Sequence, residues 1–136
     1  MPIEWAEKGN TMAKILMSIH PEHVEKILSG IKKYEYRKVK CKKTIDTIVI
    51  YATYPIMKVM GEVEVWHVIE DSPVILWDRT KNGAGIDYSF FSNYYKGRNK
   101  AVAYQLGKAL KYKHPKELLE LGVKVAPQSY VYLTNN

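Results

Sequence analysis

The sequence predicts an α+β domain, built as a small, partly open β-barrel of five to six strands with three to four short helices. Three observations predict it. β-rich runs outnumber helical ones, the long alternating run 57–69 contains a central glycine, and helices do not alternate regularly with strands. Regular alternation would favour a doubly wound parallel sheet. The 136 residues fit one core. Residues 1–11 show no period and are interpreted as an N-terminal extension, with the domain over 12–136.

The domain opens with a strand and a helix. The apolar run 14–19 predicts a short buried strand. A helix then begins at Pro21, a residue that suits the first helical position, and ends at Ser29. Gly30 is expected to adopt a left-handed conformation as the C-terminal cap.

Three strands are predicted in the middle of the chain, over 34–39, 45–51 and 57–69. A basic loop joins the first two. Gly61 interrupts the third, and a glycine inside a strand typically marks a bend or a bulge in a curved sheet.

Two capped helices follow this region. Ser72 before a proline predicts the N-cap of a helix over 73–79, and Asp87 predicts the cap of a helix over 88–96. Between them, the loop 81–85 contains the letters NGAG. These lack the lysine of a phosphate-binding loop, so a plain turn is predicted.

The last third of the chain predicts strand, helix and strand. The first strand begins at residue 100 and ends between 106 and 112. A short helix is expected to begin at Pro115 and to stop at Gly122. The run 130–133 closes the domain as a strand.

Composition limits the classes of function. No apolar run approaches the roughly 18 residues that cross a bilayer, so no membrane partner is expected. Cys41 is the only cysteine, which rules out an intrachain disulfide and fits a reducing, cytoplasmic location. The formal net charge of +7 points to anionic partners such as nucleic acid.

Part of the positive charge is concentrated in one loop. Five cations fall within seven residues: Arg37, Lys38, Lys40, Lys42 and Lys43. Such a run is typical of a solvated loop, and it is also what a phosphate-binding surface requires. Both interpretations stay open at this point.

No metal or other cofactor is predicted. The four histidines, His20, His23, His67 and His114, do not have the spacing of a metal site. His67 alternates with valines, which is more typical of a core histidine than of a ligand. Cys41 has lysine neighbours but no partner of fixed geometry, so nucleophilic catalysis through it is not predicted.

The stretch GIKKYEYR carries the most specific polar pattern. In the predicted strand, Glu35 and Arg37 point to one side, and Tyr34 and Tyr36 point to the other. Lys32 lies in the preceding turn, from which it can approach Glu35. One interpretation is an exposed ion pair of little energetic weight. The other is a polar cluster at the mouth of a barrel, where two cations meet an anionic or polar ligand.

The pattern Gly30-x-Lys32-x-x-Glu35-x-Arg37 resembles the signature of the ASCH family, a branch of the PUA-like superfamily. Further stretches resemble this family in the same order, so the similarity spans about residues 12–133. They are IVIYATYP at 48–55, MGEVEV at 60–65 and APQSYVYL at 126–133.

The resemblance implies a small β-barrel that handles RNA in a cleft formed by Lys32, Glu35 and Arg37. Other residues are expected to face this cleft by position in the family pattern. They are Gly30, Tyr51, Glu62, Glu64 and Ser129.

The main hypothesis is a cleft that binds single-stranded RNA or a nucleobase, in RNA metabolism or in the regulation of translation or transcription. Arg37 and the lysines after it would contact phosphate, and tyrosines at 34, 36 or 51 would stack on bases. DNA is not expected, because no helix-turn-helix segment is visible. A protein-interaction module is a third possibility.

The alternative is a small hydrolase that acts on RNA or on an acylated nucleoside such as N4-acetylcytidine. Its predicted catalytic set is Lys32, Glu35 and Glu62, with Lys32 as base or nucleophile and Arg37 as oxyanion partner. Two nearby cations favour the ionised form of Glu35, which makes it a poor general base. In the deacylase branch of the family a threonine stands in place of Glu35, and this chain departs from that branch.

Overall fold

The computed structural model describes residues 13–133, so the predicted extension 1–11 lies outside the described residues. Six strands are present in this part of the chain: β1 (Ala13–Ile19), β2 (Tyr34–Arg37), β3 (Ile45–Ala52), β4 (Lys58–Asp71), β5 (Ala101–Lys116) and β6 (Tyr130–Leu133). Three α-helices and two 3-10 turns connect them: α1 (Pro21–Leu28), α2 (Pro73–Thr80), α3 (Tyr88–Tyr94), Lys81–Gly83 and Leu118–Leu121.

All six strands form one sheet in the order β2-β5-β4-β3-β1-β6. The pairs are antiparallel except β1 with β3, which run parallel and are connected in the chain through α1 and β2. Because β2 and β6 are edge strands, the sheet is not closed. The α+β class is confirmed, with five to six strands and three to four short helices as predicted.

Local signals placed the caps and the bend correctly. The Ser72 hydroxyl accepts a hydrogen bond from the backbone of Ile75, and the Asp87 carboxylate accepts one from Phe90. Gly30 has a φ of 85°. The register of β4 against β5 shifts beside Gly61, where a Cβ would lie 2.4 Å from a backbone oxygen of β5. Glycine is therefore required at this bulge.

Several boundaries differ from the prediction. β2 ends at Arg37 and α3 ends at Tyr94, each two residues before the predicted end, whereas β4 ends at Asp71, two residues after it. The predicted helix start at Pro115 is wrong, because the pairing of Lys116 with Val59 keeps the chain extended to the end of β5. The turn begins only after Glu117, whose side chain and that of Glu120 form a reciprocal cap.

Apolar side chains pack on both faces of the sheet. One cluster, which includes Tyr36, Leu76 and Phe91, packs between the sheet and the helices α2 and α3. A separate cluster around Leu16 and Tyr51 packs with residues that follow β5. His67 is exposed, contrary to the prediction of a core histidine. None of the helices in residues 13–133 is long and apolar enough to cross a membrane.

Candidate functional site

A cleft of about 340 Å³ opens where β1 and β2 end and where α1 begins. Side chains from both strands, α1, α3 and the loops beside them meet there. The lining residues are Ser18, Ile19, His20, His23, Lys32, Glu35, Tyr36, Arg37, Thr53, Ile86, Phe90, Tyr94 and Gln128. Three strands separate β2 from β1 in the sheet order, and the hydrogen bond from Arg37 to Ser18 shows that the sheet curves to bring these two strands together. α3 is followed in the chain by β5, the partner of β2.

Arg37 is fixed by three contacts. Its Nε and Nη2 lie 3.1 and 3.0 Å from Oε2 of Glu35, in an ion pair whose side chains are 17% and 8% exposed. Nη2 also donates to the backbone oxygen of Ser18 at 3.0 Å, and Nη1 donates to the hydroxyl of Ser129 at 3.3 Å. The guanidinium group therefore has a set direction at the wall of the cleft.

Lys32 is the most buried charged residue in the cleft, with only 3% of its surface exposed. It does not form an ion pair with Glu35 within 4.0 Å; instead Nζ donates to the backbone oxygen of Ala84 at 2.8 Å. Nζ also lies 4.9 Å from the ring centre of Tyr36. Burial lowers the pKa of Lys32 from 10.5 to about 8, with the positive charges of its neighbours adding to the shift and Glu35 opposing it.

The loop 81–85, predicted as a plain turn, holds Lys32 in place. The backbone nitrogen of Lys33 donates to the oxygen of Gly83 at 2.7 Å, and Nζ of Lys26 donates to the oxygen of Gly85 at 2.9 Å. Gly85 has a φ of 71°, and a Cβ there would lie 2.7 Å from Cβ of Lys32. Glycine is thus needed for both the backbone conformation and the close approach.

An aromatic wall completes the cleft, and the sequence analysis did not include it. Phe90 and Tyr94 stand one helical turn apart on α3, and Phe90 is 47% exposed. The ring of His23 contacts Phe90 edge-on at 5.4 Å. Burial, with a contribution from Lys32, lowers the pKa of His23, and its Nδ1 is buried without a hydrogen-bond partner among the described residues. The i, i+4 spacing after the Asp87 cap was the available signal.

Three of the predicted site residues lie outside the cleft. Tyr51 is buried in the cluster around Leu16. Glu62 accepts a hydrogen bond from the hydroxyl of Tyr112 at 2.8 Å, and Glu64 accepts from the backbone of Lys108 at 3.0 Å. The bond from Lys108 lowers the pKa of Glu64.

Three further predicted residues adjoin residues of the cleft wall. Gly30 forms the bend before Lys32, and Ser129 contacts Arg37 as described above. Nζ of Lys38 lies 4.8 Å from the ring centre of Tyr94, a residue of the cleft wall.

The rest of the basic loop is exposed, yet it is fixed at its centre. The backbone nitrogen of buried Cys41 donates to the hydroxyl of Tyr104 at 2.8 Å. Nζ of Lys43 lies 4.8 Å from the ring centre of Tyr132, whereas Lys40 and Lys42 face solvent. Within residues 13–133, no three His, Cys, Asp or Glu side chains group as metal ligands would.

A model of the ASCH domain matches residues 17–118, three quarters of the chain. The chain belongs to the ASCH domain family. Among solved structures, ASCH from Zymomonas mobilis superposes with a TM-score of 0.82 at 27% identity, covering 90% of this chain and 88% of that one. A mutant of that protein, in which a tyrosine is replaced by phenylalanine, superposes with a TM-score of 0.82 at 26% identity. The superposition covers 90% of this chain and 91% of the mutant chain. The family resemblance and the fold drawn from the sequence are confirmed.

The curated relatives of this ASCH protein are longer. An ASCH domain-containing ribonuclease of Zymomonas mobilis is 29% identical over 67% of this chain and 62% of its own length. Large ribosomal subunit protein uL22 of Ureaplasma parvum is 27% identical over 93% of this chain and 41% of its own length. ATP synthase subunit alpha of the same species is 25% identical over 88% of this chain and 15% of its own length. The chain spans less than two thirds of each of these relatives.

Proposed function

We propose that this ASCH domain binds single-stranded RNA, with one unpaired nucleotide inserted in the cleft. The observation that carries the proposal is the combination, in one hollow, of two directed cations and an aromatic wall. The volume of about 340 Å³ lies at the small end of ligand sites, which span roughly 300–1,000 Å³. A hollow of this size suits a single base with its sugar rather than a duplex.

Phosphate recognition falls to Arg37 and Lys32. Glu35 and the backbone oxygen of Ser18 hold Nε and Nη2 of Arg37 at a fixed angle. Nη1 donates one hydrogen to Ser129, so its other hydrogen remains for a charge-assisted bond to one phosphate oxygen. Lys32 has three ammonium hydrogens, of which the bond to Ala84 uses one. The remaining hydrogens are donors available to a ligand that enters the cleft.

Base recognition falls to α3. The tyrosines at 36 and 51 that were predicted to stack on bases are 6% and 4% exposed, so neither ring presents a free face. Phe90 and Tyr94 line the cleft instead. Stacking on such rings is tolerant of base identity, so weak sequence preference is expected. The names of a ribonuclease and of a ribosomal protein among the relatives support RNA as the ligand class.

RNA cleavage is a second candidate, favoured by the pKa of about 8 at Lys32. A lysine that is partly neutral near physiological pH can accept the proton of a ribose 2′-hydroxyl as this oxygen attacks the adjacent phosphorus. The bond from phosphorus to the 5′-oxygen of the next nucleotide then breaks, and this oxygen takes a proton from water, which leaves a 2′,3′-cyclic phosphate. Arg37 lies where it can stabilise the extra negative charge on the phosphoryl oxygens. The named ribonuclease relative supports this candidate as well.

The test is fluorescence anisotropy with a labelled oligouridylate at low salt. Arg37→Lys keeps the charge but loses the contacts that direct the guanidinium group and its free Nη1 hydrogen, so we expect binding to weaken about tenfold. Lys111→Met removes an exposed charge on the far half of β5 and should change affinity less than about twofold. Equal affinities for Arg37→Lys and the wild type would refute a role of the cleft in binding.

Cleavage is tested separately by incubating the wild type and Lys32→Met with the same RNA, and with N4-acetylcytidine for the deacylase alternative. Products from the wild type that are absent with Lys32→Met would establish the hydrolase. Binding of RNA without any product would support RNA binding and contradict hydrolysis.

A further inference from the structure

Two basic segments emerge from the same end of the β2–β5 pair. Arg37, the last residue of β2, pairs with Val102 near the start of β5. The hydroxyl of Tyr95 donates to the backbone oxygen of Arg37 at 2.8 Å, and the backbone of Arg98 donates to that of Tyr95 at 2.9 Å. The segment that follows β2 and the segment that precedes β5 therefore lie side by side.

Together these segments form what we call the basic track. Its members are Lys38, Lys40, Lys42, Lys43, Lys96, Arg98 and Lys100, and all seven are exposed. Within residues 13–133 the ion pairs join Arg37 to Glu35, Lys58 to Glu117 and Lys81 to Asp78. None of them involves a cation of the track, so no carboxylate in this part of the chain neutralises it.

Tyr94 connects the track to the cleft. Its side chain lines the cleft, and Nζ of Lys38 lies 4.8 Å from the centre of its ring. Burial raises the pKa of its hydroxyl, while the positive charges of Arg37 and Arg98 both act against that rise. One cation of the cleft and one of the track are thus within electrostatic range of the same ring.

We propose that an RNA strand leaves the cleft across Tyr94 and continues along the basic track, so that the ligand is an oligonucleotide and not a free nucleoside or base. This inference rests on the proposed function of the cleft. Phosphate groups would then contact the cations of the loop after β2 and three further residues, Lys96, Arg98 and Lys100. A free nucleoside would leave all seven exposed cations unused.

A single strand fits these observations better than other polyanions. Proteins that bind unpaired strands combine a positively charged groove with aromatic side chains on which bases stack. The track supplies the charge, and Phe90 and Tyr94 supply the rings at its inner end. An acidic protein surface or a duplex offers no unpaired base for the hollow.

The experiment compares three ligands on three proteins. The ligands are uridine monophosphate, an oligouridylate of about ten nucleotides, which is within the usual site size of single-strand binders, and the oligodeoxyuridylate of the same length. The track variant is Lys96→Ser/Arg98→Ser/Lys100→Ser. The control, Lys108→Ser/Lys111→Ser/Lys113→Ser, removes the same charge from exposed lysines on the other half of β5. Thermal unfolding confirms that each variant is folded.

We expect the wild type to bind the oligonucleotide much more tightly than the mononucleotide. The track variant should bind the oligonucleotide about tenfold more weakly, with mononucleotide affinity unchanged. Its log–log salt slope should fall by about 0.7 for each phosphate that the variant no longer neutralises. The control should retain most of the oligonucleotide affinity and the original slope.

Several results would overturn the track. If the mononucleotide binds as tightly as the oligonucleotide, the result supports binding in the cleft and contradicts a role of the track. If the two triple variants weaken binding equally, the net charge of the protein alone explains why the oligonucleotide binds more tightly than the mononucleotide, and the track has no specific role. Equal affinity for an oligodeoxyuridylate would remove the assignment to RNA. If neither the mononucleotide nor an oligonucleotide binds at low salt, the proposed function of the cleft is contradicted as well.

Discussion

The cleft and the basic track use the same kind of side chain under opposite conditions. Lys32 is 3% exposed and is bonded to a carbonyl oxygen, whereas the lysines of the track are exposed and have no carboxylate partner among residues 13–133. A buried cation has a fixed direction and a perturbed pKa, but its burial costs stability. An exposed cation costs little stability and meets an approaching anion directly from solvent, within a Debye length of about 8 Å at physiological salt. The two regions therefore suit two different tasks, orientation and attraction.

Loss of the Arg37 charge should have the largest effect on stability. Arg37→Met leaves Glu35 buried without its partner, and we expect the free energy of unfolding to fall by about 3 kcal/mol at pH 7. Urea denaturation measures this change. Substitutions in the track should each cost less than about 0.5 kcal/mol.

The control for this effect is Arg37→Met/Glu35→Gln, which also removes the unpaired carboxylate. The double variant should be more stable than Arg37→Met alone. If the two are equally unstable, the cost comes from packing of the arginine stem and not from an unpaired charge.

Gly85 lies in the loop over Lys32, and Gly97, which follows α3, is a matched control for it. Gly85 and Gly97 have φ values of 71° and 78°, but only at Gly85 would a Cβ meet another atom within 4 Å. Gly97→Ala should therefore cost about 1 kcal/mol for its conformation alone, and Gly85→Ala about 2 kcal/mol because it also displaces Lys32. Chemical denaturation of both variants checks the difference. Equal costs would show that the loop tolerates displacement of Lys32.

The smallest expected effect is a dependence of stability on pH. The pKa of Lys32 is 10.5 in its ordinary state and about 8 in the folded protein. Above pH 8 the unfolded chain therefore binds more protons at this site, and stability rises with pH towards 10.5. Below pH 8 both states are protonated, so the contribution is constant and unfavourable.

We expect the wild type to gain about 1 kcal/mol relative to Lys32→Met between pH 8 and pH 9. Unfolding of both proteins across this range measures the gain. The range stops there because burial raises the pKa of Tyr36 to about 12, and such tyrosines lower stability once unfolded tyrosine ionises. Parallel curves for the two proteins would mean that Lys32 has an ordinary pKa in the folded state.

Much of the fold was predictable because its signals are local. Ser72, Asp87, Gly30 and Gly61 each act through their own neighbours, and each has the predicted role. The alternation of Glu35 and Arg37 likewise follows from strand geometry alone, and the two side chains do form an ion pair.

The remaining features of the site depend on which strands become neighbours. Alternation shows that Glu62 and Glu64 share a face of β4, but not which face borders the cleft. The carbonyl oxygen of Ala84 meets Lys32 across 52 positions in sequence. Phe90 and Tyr94 reach the cleft because α3 leads into β5, the partner of β2. No property of a short sequence window encodes these contacts.

The first and last strands are neighbours, and this has a consequence for longer chains. Lys14 is paired with Leu133, while Ser18, at the other end of β1, lines the cleft. These two residues are four steps apart along β1, a separation of about 13 Å. The start of β1 and the end of β6 thus lie on the side remote from the mouth of the cleft. The relatives that match this chain are longer, and both strand ends at which a longer chain would join the described residues lie away from this mouth.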